Sequence, residues 1–339
     1  MAIKQTTLVL PGLLWPEGIS ALAKGSHRSL FLNRALARSN IENVPGGDIS
    51  ETLFHLFGVN SNRQSDLPVG AVSYVGHGEY PGDECVALVT PVHILADRDR
   101  VILIGPNQVN HSNQFADHLI ELFNSHFKED GLYLTRQSGK EWYLILEQCP
   151  QIVTSSIESV IGRHIEEYLP QGKEGSRWRG ILNEIQMLLF NDKKINHLSI
   201  PNEYNVNALW FSGFGVVPKV ITGYSTVYTN HSLAKGLANL SGISHKPIPQ
   251  DFKEAVTESG EILIVLTTLL DYELDSDIES WKESWIDISR VVESLLLNQA
   301  GRLANKLVIY PCNGTSFSIT KSSYLTRFWR KNIKLGNPH

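Results

Sequence analysis

The sequence predicts an α/β fold in which a mostly parallel sheet is covered by helices on both faces. Short apolar and β-branched runs, bounded by Gly, Pro or Asp, alternate along the chain with longer segments of helical periodicity. Strands that alternate with helices are typical of parallel sheets, whose strands are buried on both faces. With 339 residues, 42% of them hydrophobic and 19% charged, the chain has the length and composition of a globular protein with a sizeable core.

The predicted elements follow one another along the chain. A first strand, residues 6–10, ends at Pro11-Gly12 because neither residue suits a strand interior. The other predicted strands are residues 71–75, 86–89, 101–104, 142–146, 206–211, 261–266 and 306–310. The predicted helices are residues 29–38, 113–127, 176–190, 232–240 and 278–297.

The strand-rich middle of the chain interrupts this alternation. It ends in a polar, Gly-containing stretch at residues 170–176, which is typical of a domain boundary. We therefore predict an inserted α+β domain at residues 76–170, with the core formed by residues 1–75 and 171–339.

Charge and cysteine content predict the partners and the compartment. A net charge of −5 creates no long-range positive field, so neither nucleic acid nor an anionic membrane is expected as a partner. The three cysteines form no CxxC pair and are expected as buried, unpaired side chains, which suits a reducing cytoplasm. The apolar run within residues 1–10 is too short for a signal peptide or a spanning helix.

An acidic cluster follows the strand predicted at residues 261–266. It consists of Asp271, Glu273, Asp275 and Asp277. Sites of α/β proteins form at the carboxyl ends of parallel strands, so Asp271, Asp275 and Asp277 are candidate metal ligands. The alternative is a polar loop in which Asp275, Ser276 or Asp277 caps the next helix.

Two other segments are candidates for anion binding. Arg98 and Arg100 could hold a phosphate through paired charge-assisted hydrogen bonds, although alternating charges also mark a salt-bridged turn. Around the strand at residues 206–211, backbone amides could face an anion or simply form a turn. The residues that bracket this strand and its preceding loop are Asn196, Asn207, Gly213 and Gly215.

The order of several segments carries a resemblance to a known family. The segments are Ala96 to Arg100, Leu182-Asn183-Glu184, Lys194-Ile195-Asn196, Val206 to Trp210, Gly213-Phe214-Gly215, Leu233 to Ala238, and the stretch from Pro45-Gly46 through Leu53 to Gly58. Together they resemble the archaeal-type cofactor-independent phosphoglycerate mutases of the alkaline-phosphatase superfamily. A bacterial mutase-like group is similar in further segments, namely Leu10 to Pro16, Pro91-Val92-His93, Asn183 to Leu189 and Phe328-Trp329-Arg330.

The resemblance implies an alkaline-phosphatase-like core, two divalent metals such as Mn²⁺ or Mg²⁺, and a Ser or Thr nucleophile. The nucleophile loop of this chain offers Gly47, Asp48 and Ile49 at the expected position, so Ser50 and Thr52 are the nearby hydroxyls. Asp271 matches a family metal ligand and, with Ser50, is the candidate catalytic residue.

The other family ligands are replaced in this sequence. The replacements are Pro11 for an Asp, Leu266 or Thr267 for a His, Leu274 or Asp275 for a second His, Pro311-Cys312 or Cys312-Asn313 for an Asp-His pair, and Ser199 for a substrate-binding Arg. Proline has no side-chain donor, and ligands are lost at three separate strand ends. We therefore predict no bound metal cofactor.

The resemblance thus implies a degenerate phosphoglycerate mutase-like protein, related to glycolytic enzymes, that binds a phosphorylated metabolite or a partner without metal-dependent phosphoryl transfer. The predicted substrate-binding residues are Arg98, Arg100, Asn196, Asn207, Gly213 and Gly215. One alternative is an active mutase, an intramolecular phosphotransferase with its site rebuilt from the acidic cluster and Ser50. The other is a regulatory or interaction module whose old cleft is filled by side chains. The sequence leaves the ligand, the catalytic status and the oligomeric state open.

Overall fold

The computed structural model describes residues 5–24, 31–60, 65–97, 100–137, 141–201, 203–249, 252, 260–297 and 306–330. The chain divides into two compact units. The first unit comprises residues 1–59 and 220–339, and the second unit comprises residues 60–219. The second unit contains the whole of the predicted insertion at 76–170 but is longer at both ends.

The elements are numbered in chain order. The helices are α1 (Pro16–Lys24), α2 (Phe31–Arg38), α3 (Ile49–Leu56), α4 (Val69–Gly76), α5 (Asn113–His126), α6 (Ile157–Val160), α7 (Gly175–Asn191), α8 (Lys193–Leu198), α9 (Ser232–Leu240), α10 (Thr268–Leu274), α11 (Ile278–Leu297) and α12 (Lys321–Thr326). The strands are β1 (Gln5–Val9), β2 (Asn40–Asn43), β3 (Cys85–Asp97), β4 (Arg100–Ile104), β5 (Val109–Asn110), β6 (Tyr133–Arg136), β7 (Trp142–Leu146), β8 (Tyr204–Asn205), β9 (Ala208–Gly215), β10 (Tyr224–Thr229), β11 (Ser244–Lys246), β12 (Glu261–Val265), β13 (Lys306–Tyr310) and β14 (Thr315–Ile319).

The first unit is built on a seven-stranded sheet in the order β11-β10-β12-β1-β13-β14-β2. The strands from β11 to β13 are parallel, and β14 and β2 add an antiparallel edge. Leu8 of β1 lies opposite Ile264 of β12 on one side and Ile309 of β13 on the other. The expected α/β class, with a largely parallel central sheet flanked by helices, is confirmed.

The long helix α11 covers this sheet with one apolar face. Its buried residues recur at helical spacing and include Trp281, Trp285, Val292 and Leu295. The Trp281 ring lies so close to α1 that a Cβ atom on Gly18 would come within 2.7 Å of it. A side chain at that position of α1 would therefore force the two helices apart.

The second unit contains an antiparallel sheet whose longest strand is β3. This 13-residue strand pairs with β4, β7 and β9, and β6 pairs with β7. Helices α5 and α7 pack their apolar faces into the same core, where Phe115, Phe123, Trp178 and Ile185 are buried. The short strands β5 and β8 form a separate parallel pair.

One predicted strand lies outside the core in which we expected it, and another is a helix. The strand predicted at residues 206–211 is β9, but it pairs with β3 in the second unit and not with β1, β12 and β13. Its nearly continuous burial resembles that of a central parallel strand, and burial does not reveal which partner a strand has. The strand predicted at residues 71–75 is helix α4, since an apolar run this short fits either conformation.

These two segments also account for the wider insertion. Helix α4 packs on β3 so closely that a Cβ atom on Gly70 would come within 2.5 Å of the Ala87 Cα atom. Because α4 and β9 both contact β3, they belong with the second unit, and its limits lie at 60 and 219 where we expected 76 and 170.

The expectation of unpaired cysteines is wrong for two of the three. Cys85 and Cys149 form a disulfide bond, and Cys312 is buried outside any disulfide. The two bonded residues are 64 positions apart, so their pairing depends on the antiparallel packing of β3 on β7 and was not visible in their spacing. The pair removes the support that unpaired cysteines lent to a reducing compartment. No helix within the described residues is long and apolar enough to cross a membrane.

Candidate functional site

The turn after β1, where the resemblance places a metal-binding Asp, is closely packed in the first unit. Gly12 has a φ of +77°, and a Cβ atom there would come within 2.7 Å of the Leu270 backbone nitrogen. The indole nitrogen of Trp281 donates a hydrogen bond to the Gly12 carbonyl oxygen at 3.0 Å. Gly12 therefore lies against α10 and α11 with no room for an added side chain.

The predicted nucleophile loop forms the start of α3. The Asp48 carboxylate accepts a hydrogen bond from the Glu51 backbone nitrogen at 2.8 Å and caps this helix, while the Thr52 hydroxyl donates to the Asp48 carbonyl oxygen at 2.7 Å. Ser50 lies half-buried in the first turn. Burial raises the pKa of the Cys312 thiol to about 12, so this neighbour of Thr52 stays protonated at neutral pH.

The acidic cluster after β12 is divided between two helices. Asp271 lies in α10, and burial together with repulsion from Asp275 raises the pKa of its carboxyl. Asp277 accepts a hydrogen bond from the Ser280 backbone nitrogen at 3.1 Å, so it caps α11 as the loop interpretation requires. Within the described part of the chain, no group of three or more His, Cys, Asp or Glu side chains could hold a metal ion.

The side chains described at the strand ends of the first unit do not fit the two divalent metals that the resemblance implies. Such a pair of ions needs several carboxylate or imidazole ligands that converge from different strand ends. The described strand ends offer instead the Pro11 turn, the Asp271–Asp275 pair and the high-pKa thiol of Cys312.

In the second unit, the backbone amides near the end of β9 already face an anion, and it is a carboxylate of the chain itself. Asp66 accepts hydrogen bonds from the backbone nitrogens of Thr154 at 2.7 Å and Phe214 at 3.2 Å, and from the Thr154 hydroxyl. The Gly213 nitrogen donates to the Thr154 hydroxyl oxygen at 3.2 Å. The expected amide donors near Gly213 are therefore occupied by Asp66 and Thr154.

Close packing accounts for the two glycines at this strand end. A Cβ atom on Gly213, whose φ is +66°, would come within 2.7 Å of the Val69 Cβ atom. One on Gly215 would come within 2.5 Å of the Pro68 Cβ atom. Both glycines are thus needed for the packing of β9 against the start of α4.

A groove of about 760 Å³ lies elsewhere in the second unit, which is the size of a small-molecule site. It contains two of the six predicted substrate-binding residues, Asn196 and Asn207. The other lining residues come from β3, α7, α8 and the segment around β8, and are His93, Asn183, Gln186, Met187, Leu189, Phe190, Asn191, Ile195, Ser199, Glu203, Asn205 and Val206.

One wall of the groove is held together by asparagine side chains. Asn207 accepts a hydrogen bond from the Ile94 nitrogen at 2.7 Å and donates one to the Ile94 oxygen at 3.0 Å. Asn205 pairs in the same two-sided way with Ile200, at 2.6 and 2.8 Å. His93 approaches the Asn205 carbonyl oxygen with its Nδ1 atom at 2.7 Å. Hydrogen bonds within the chain therefore hold this wall together.

The remaining predicted residues lie apart from the groove. Arg98 is outside the described residues, and Arg100, at the start of β4, is exposed and does not line the groove. Gly213 and Gly215 lie at the end of β9, beside Val69 and Pro68. Their assignment to a substrate stays a prediction.

Sequence reasoning missed the contribution of α7. The helix was predicted at residues 176–190, but Gln186, Met187 and Phe190 appeared to be ordinary surface positions. A signal was present, since Met187 and Phe190 are large apolar residues outside the buried face and are 65% and 80% exposed in the structure.

Comparisons with known proteins bear on the fold alone. No protein-family model matches the sequence, and no curated protein does either. Among solved structures, the chain is similar to the cofactor-independent phosphoglycerate mutase of Thermoplasma acidophilum, with 11% identity, a TM-score of 0.46, and coverage of 94% of this chain and 89% of that one. It is also similar to the PH0037 protein of Pyrococcus horikoshii, with 12% identity, a TM-score of 0.52, and coverage of 99% of this chain and 100% of that one. The chain therefore shares its fold with the Pyrococcus protein.

Proposed function

We propose that this chain is a phosphoglycerate mutase-like protein that has lost metal-dependent phosphoryl transfer and binds a small polar metabolite in the groove of its second unit. The groove carries the proposal, because it has the volume of a ligand site and a wall ordered by the paired side chains of Asn205 and Asn207.

The first unit supports the loss of phosphoryl transfer. The transfer needs an activated hydroxyl and positive centres beside it. The polar residues near Ser50, Asp48 and Thr52, instead form hydrogen bonds within the first turn of α3. The packing of Gly12 against α10 and Trp281 also favours the second candidate, an interaction module with a filled cleft.

A phosphorylated metabolite is the ligand that the resemblance implies. His93 is the lining residue within the described chain that can carry a positive charge, and its Nδ1 atom already contacts the Asn205 carbonyl oxygen. A phosphate would therefore be held by His93 and by neutral donors such as the Asn196 side chain. The cytoplasmic location stays a prediction, and the oxidation state of Cys85 and Cys149 in cells would test it.

The enzymatic part of the proposal is tested by elemental analysis and a coupled mutase assay. We expect no stoichiometric Mn²⁺, Mg²⁺ or Zn²⁺ in protein purified without chelator, and interconversion of 2- and 3-phosphoglycerate at the background rate with Mn²⁺ added. Two metals per chain, or turnover that Asp271→Asn abolishes, would establish the active mutase instead.

The binding part is tested by thermal unfolding with millimolar 3-phosphoglycerate, phosphate and sulfate. A ligand that binds the folded protein raises its melting temperature. We expect 3-phosphoglycerate to raise it and Asn196→Ala to reduce the effect, since Asn196 is exposed and lines the groove. No shift with any metabolite, including those named below, would favour the interaction module.

A further inference from the structure

Helix α7 lines one side of the groove with residues that do not pack into the core. Asn183, Gln186, Met187 and Phe190 recur at intervals of three and four residues, so they lie along one side of the helix. The core-facing residues of α7, such as Trp178 and Ile185, form a different stripe. Two amide side chains and two apolar ones therefore line the groove together.

The apolar members of this face are unusually exposed. Met187 is 65% exposed and Phe190 is 80% exposed, although large apolar side chains normally lower the free energy by burial. A phenyl ring beside a groove offers a flat apolar surface, and a thioether adapts to an irregular one. Both suit a ligand that has an apolar face.

The carboxamides of α7 differ from those of the opposite wall. The side chains of Asn205 and Asn207 are hydrogen-bonded to the backbones of Ile200 and Ile94. Among the described residues, the side chains of Asn183, Gln186 and Asn191 have no hydrogen-bond partner. Each carboxamide supplies one acceptor oxygen and two N–H donors, which matches groups that both donate and accept, as hydroxyls do.

The groove carries little charge for a phosphate to meet. Among the described residues, no lysine or arginine lines it. Its carboxylate, Glu203, accepts a hydrogen bond from the Asn110 side chain at 2.8 Å. The groove therefore favours an uncharged molecular surface, because charged groups need a partner when they leave water.

A peptide fits this geometry less well than a small molecule. A peptide that binds by strand addition needs a strand edge of several residues, and the strand at the groove, β8, is two residues long and pairs with β5. A ring with hydroxyls around its edge and an apolar face meets both the carboxamides and the phenyl ring.

We propose that the groove recognises the uncharged, hydroxyl-rich body of a sugar or cyclic polyol. Its hydroxyls bind Asn183, Gln186 and Asn191, and its C–H face packs on Phe190. The inference rests on the proposed binding function of the same groove and adds the ligand class, so that a phosphate, where present, contributes less than the hydroxylated ring.

Saturation-transfer NMR and calorimetry with the full chain test this inference. The probes are methyl α-glucoside, myo-inositol, glucose 6-phosphate, 3-phosphoglycerate, inorganic phosphate and an uncharged tripeptide. We expect an unphosphorylated sugar or polyol to bind, and Gln186→Leu and Phe190→Ala each to weaken it by roughly three- to tenfold. The control for Gln186→Leu is Gln108→Leu, which changes a glutamine outside the groove. The control for Phe190→Ala is Ile221→Ala, which changes an apolar residue of similar exposure outside the groove. Both controls should leave binding unchanged.

The outcomes separate this inference from the function on which it rests. Binding by 3-phosphoglycerate or phosphate alone, with sugars inactive, would overturn the sugar class and leave the binding function standing. Binding of the tripeptide alone, or sugar binding that is equal in the Gln186 and control variants, would also overturn it. Binding of none of the probes would overturn both.

Discussion

The Asn207 side chain takes the place of a backbone partner in the second unit. The β3–β9 pairing ends at Val92 and Ala208. The side chain of Asn207, the residue before Ala208, bonds both the nitrogen and the oxygen of Ile94, two residues beyond Val92. The sequence resemblance suggested a ligand contact at this position. In the structure both ends of the carboxamide bond the backbone of β3, so the residue shapes the groove wall whether or not a ligand is bound.

Substitution of Asn207 should therefore lower stability as well as binding. Asn207→Ala leaves a part-buried donor and acceptor of Ile94 without partners, so we expect the free energy of unfolding to fall by about 1–3 kcal/mol. Urea denaturation measures the change. Asn196→Ala is the matched control, because Asn196 is exposed and donates one bond to the Phe190 oxygen. Equal losses in the two variants would contradict the structural role of Asn207.

At the scale of elements, Asp66 joins three segments of the second unit. It precedes α4, and its carboxylate holds the loop at Thr154 and the end of β9 at Phe214. Burial raises the pKa of the Asp66 carboxyl above its usual 3.8, and the hydrogen bonds from Thr154, Phe214 and Gly213 oppose part of that rise.

This shift predicts how stability changes with pH. Because the folded state holds a proton on Asp66 more tightly than the unfolded state, its contribution to stability is fully present below a pH of 3.8 and is lost as the pH rises through the folded pKa. The free energy of unfolding of the unmodified protein minus that of Asp66→Asn should therefore increase as the pH falls from neutral towards about 4.

Denaturation of both proteins at a series of pH values measures this slope. The variant can differ from the unmodified protein at neutral pH for other reasons, so the slope is the readout. Thr154→Val serves as a control, because it keeps the Asp66 carboxyl and should keep a pH-dependent difference from Asp66→Asn. A difference that is flat or falls with decreasing pH would contradict the prediction.

At the scale of the whole molecule, a covalent link lies within one of the two units. Cys85 begins β3 and Cys149 follows β7, so their disulfide closes a loop within the second unit. A cross-link of this span restricts the unfolded chain and stabilises the folded one by about 2–4 kcal/mol. Reduction should act on the second unit, since Cys312 of the first unit is in no disulfide.

We therefore expect reductant to lower the unfolding temperature of the protein. Calorimetry with and without dithiothreitol measures the effect, and mass spectrometry of unreduced digests should show the Cys85–Cys149 peptide pair. A Cys85→Ala, Cys149→Ala double variant should be insensitive to reductant, while Cys312→Ala should respond like the unmodified protein. Reductant sensitivity in the double variant would show that another group is responsible.

Local features were predictable wherever a segment's own pattern decides its conformation. The helices α9 and α11 and the strand β13 begin and end at the predicted residues. The capping role of Asp277 was also among the interpretations of the acidic cluster. Periodicity and capping act over one or two turns, so the sequence contains the information that determines them.

Site residues were predictable only in part. Asn196 and Asn207 do line the groove, but the side chains of α7 that complete it were not distinguished from surface positions. Exposure of Phe190 is measurable only when the neighbours of α7 are in place. The amides near Gly213 were predicted as donors to an anion, but nothing in the local sequence shows that the anion is the carboxylate of Asp66, far away along the chain.

By itself, then, the sequence determined the α/β class, the apolar faces of the helices and most strand positions, because these depend on burial and on the spacing of neighbouring residues. Only the tertiary structure decided that β9 pairs with β3, that Cys85 meets Cys149, and that α7 faces the Asn205–Asn207 wall. Those features join residues distant in sequence, and an apolar strand or a cysteine has the same local pattern whichever partner it finds.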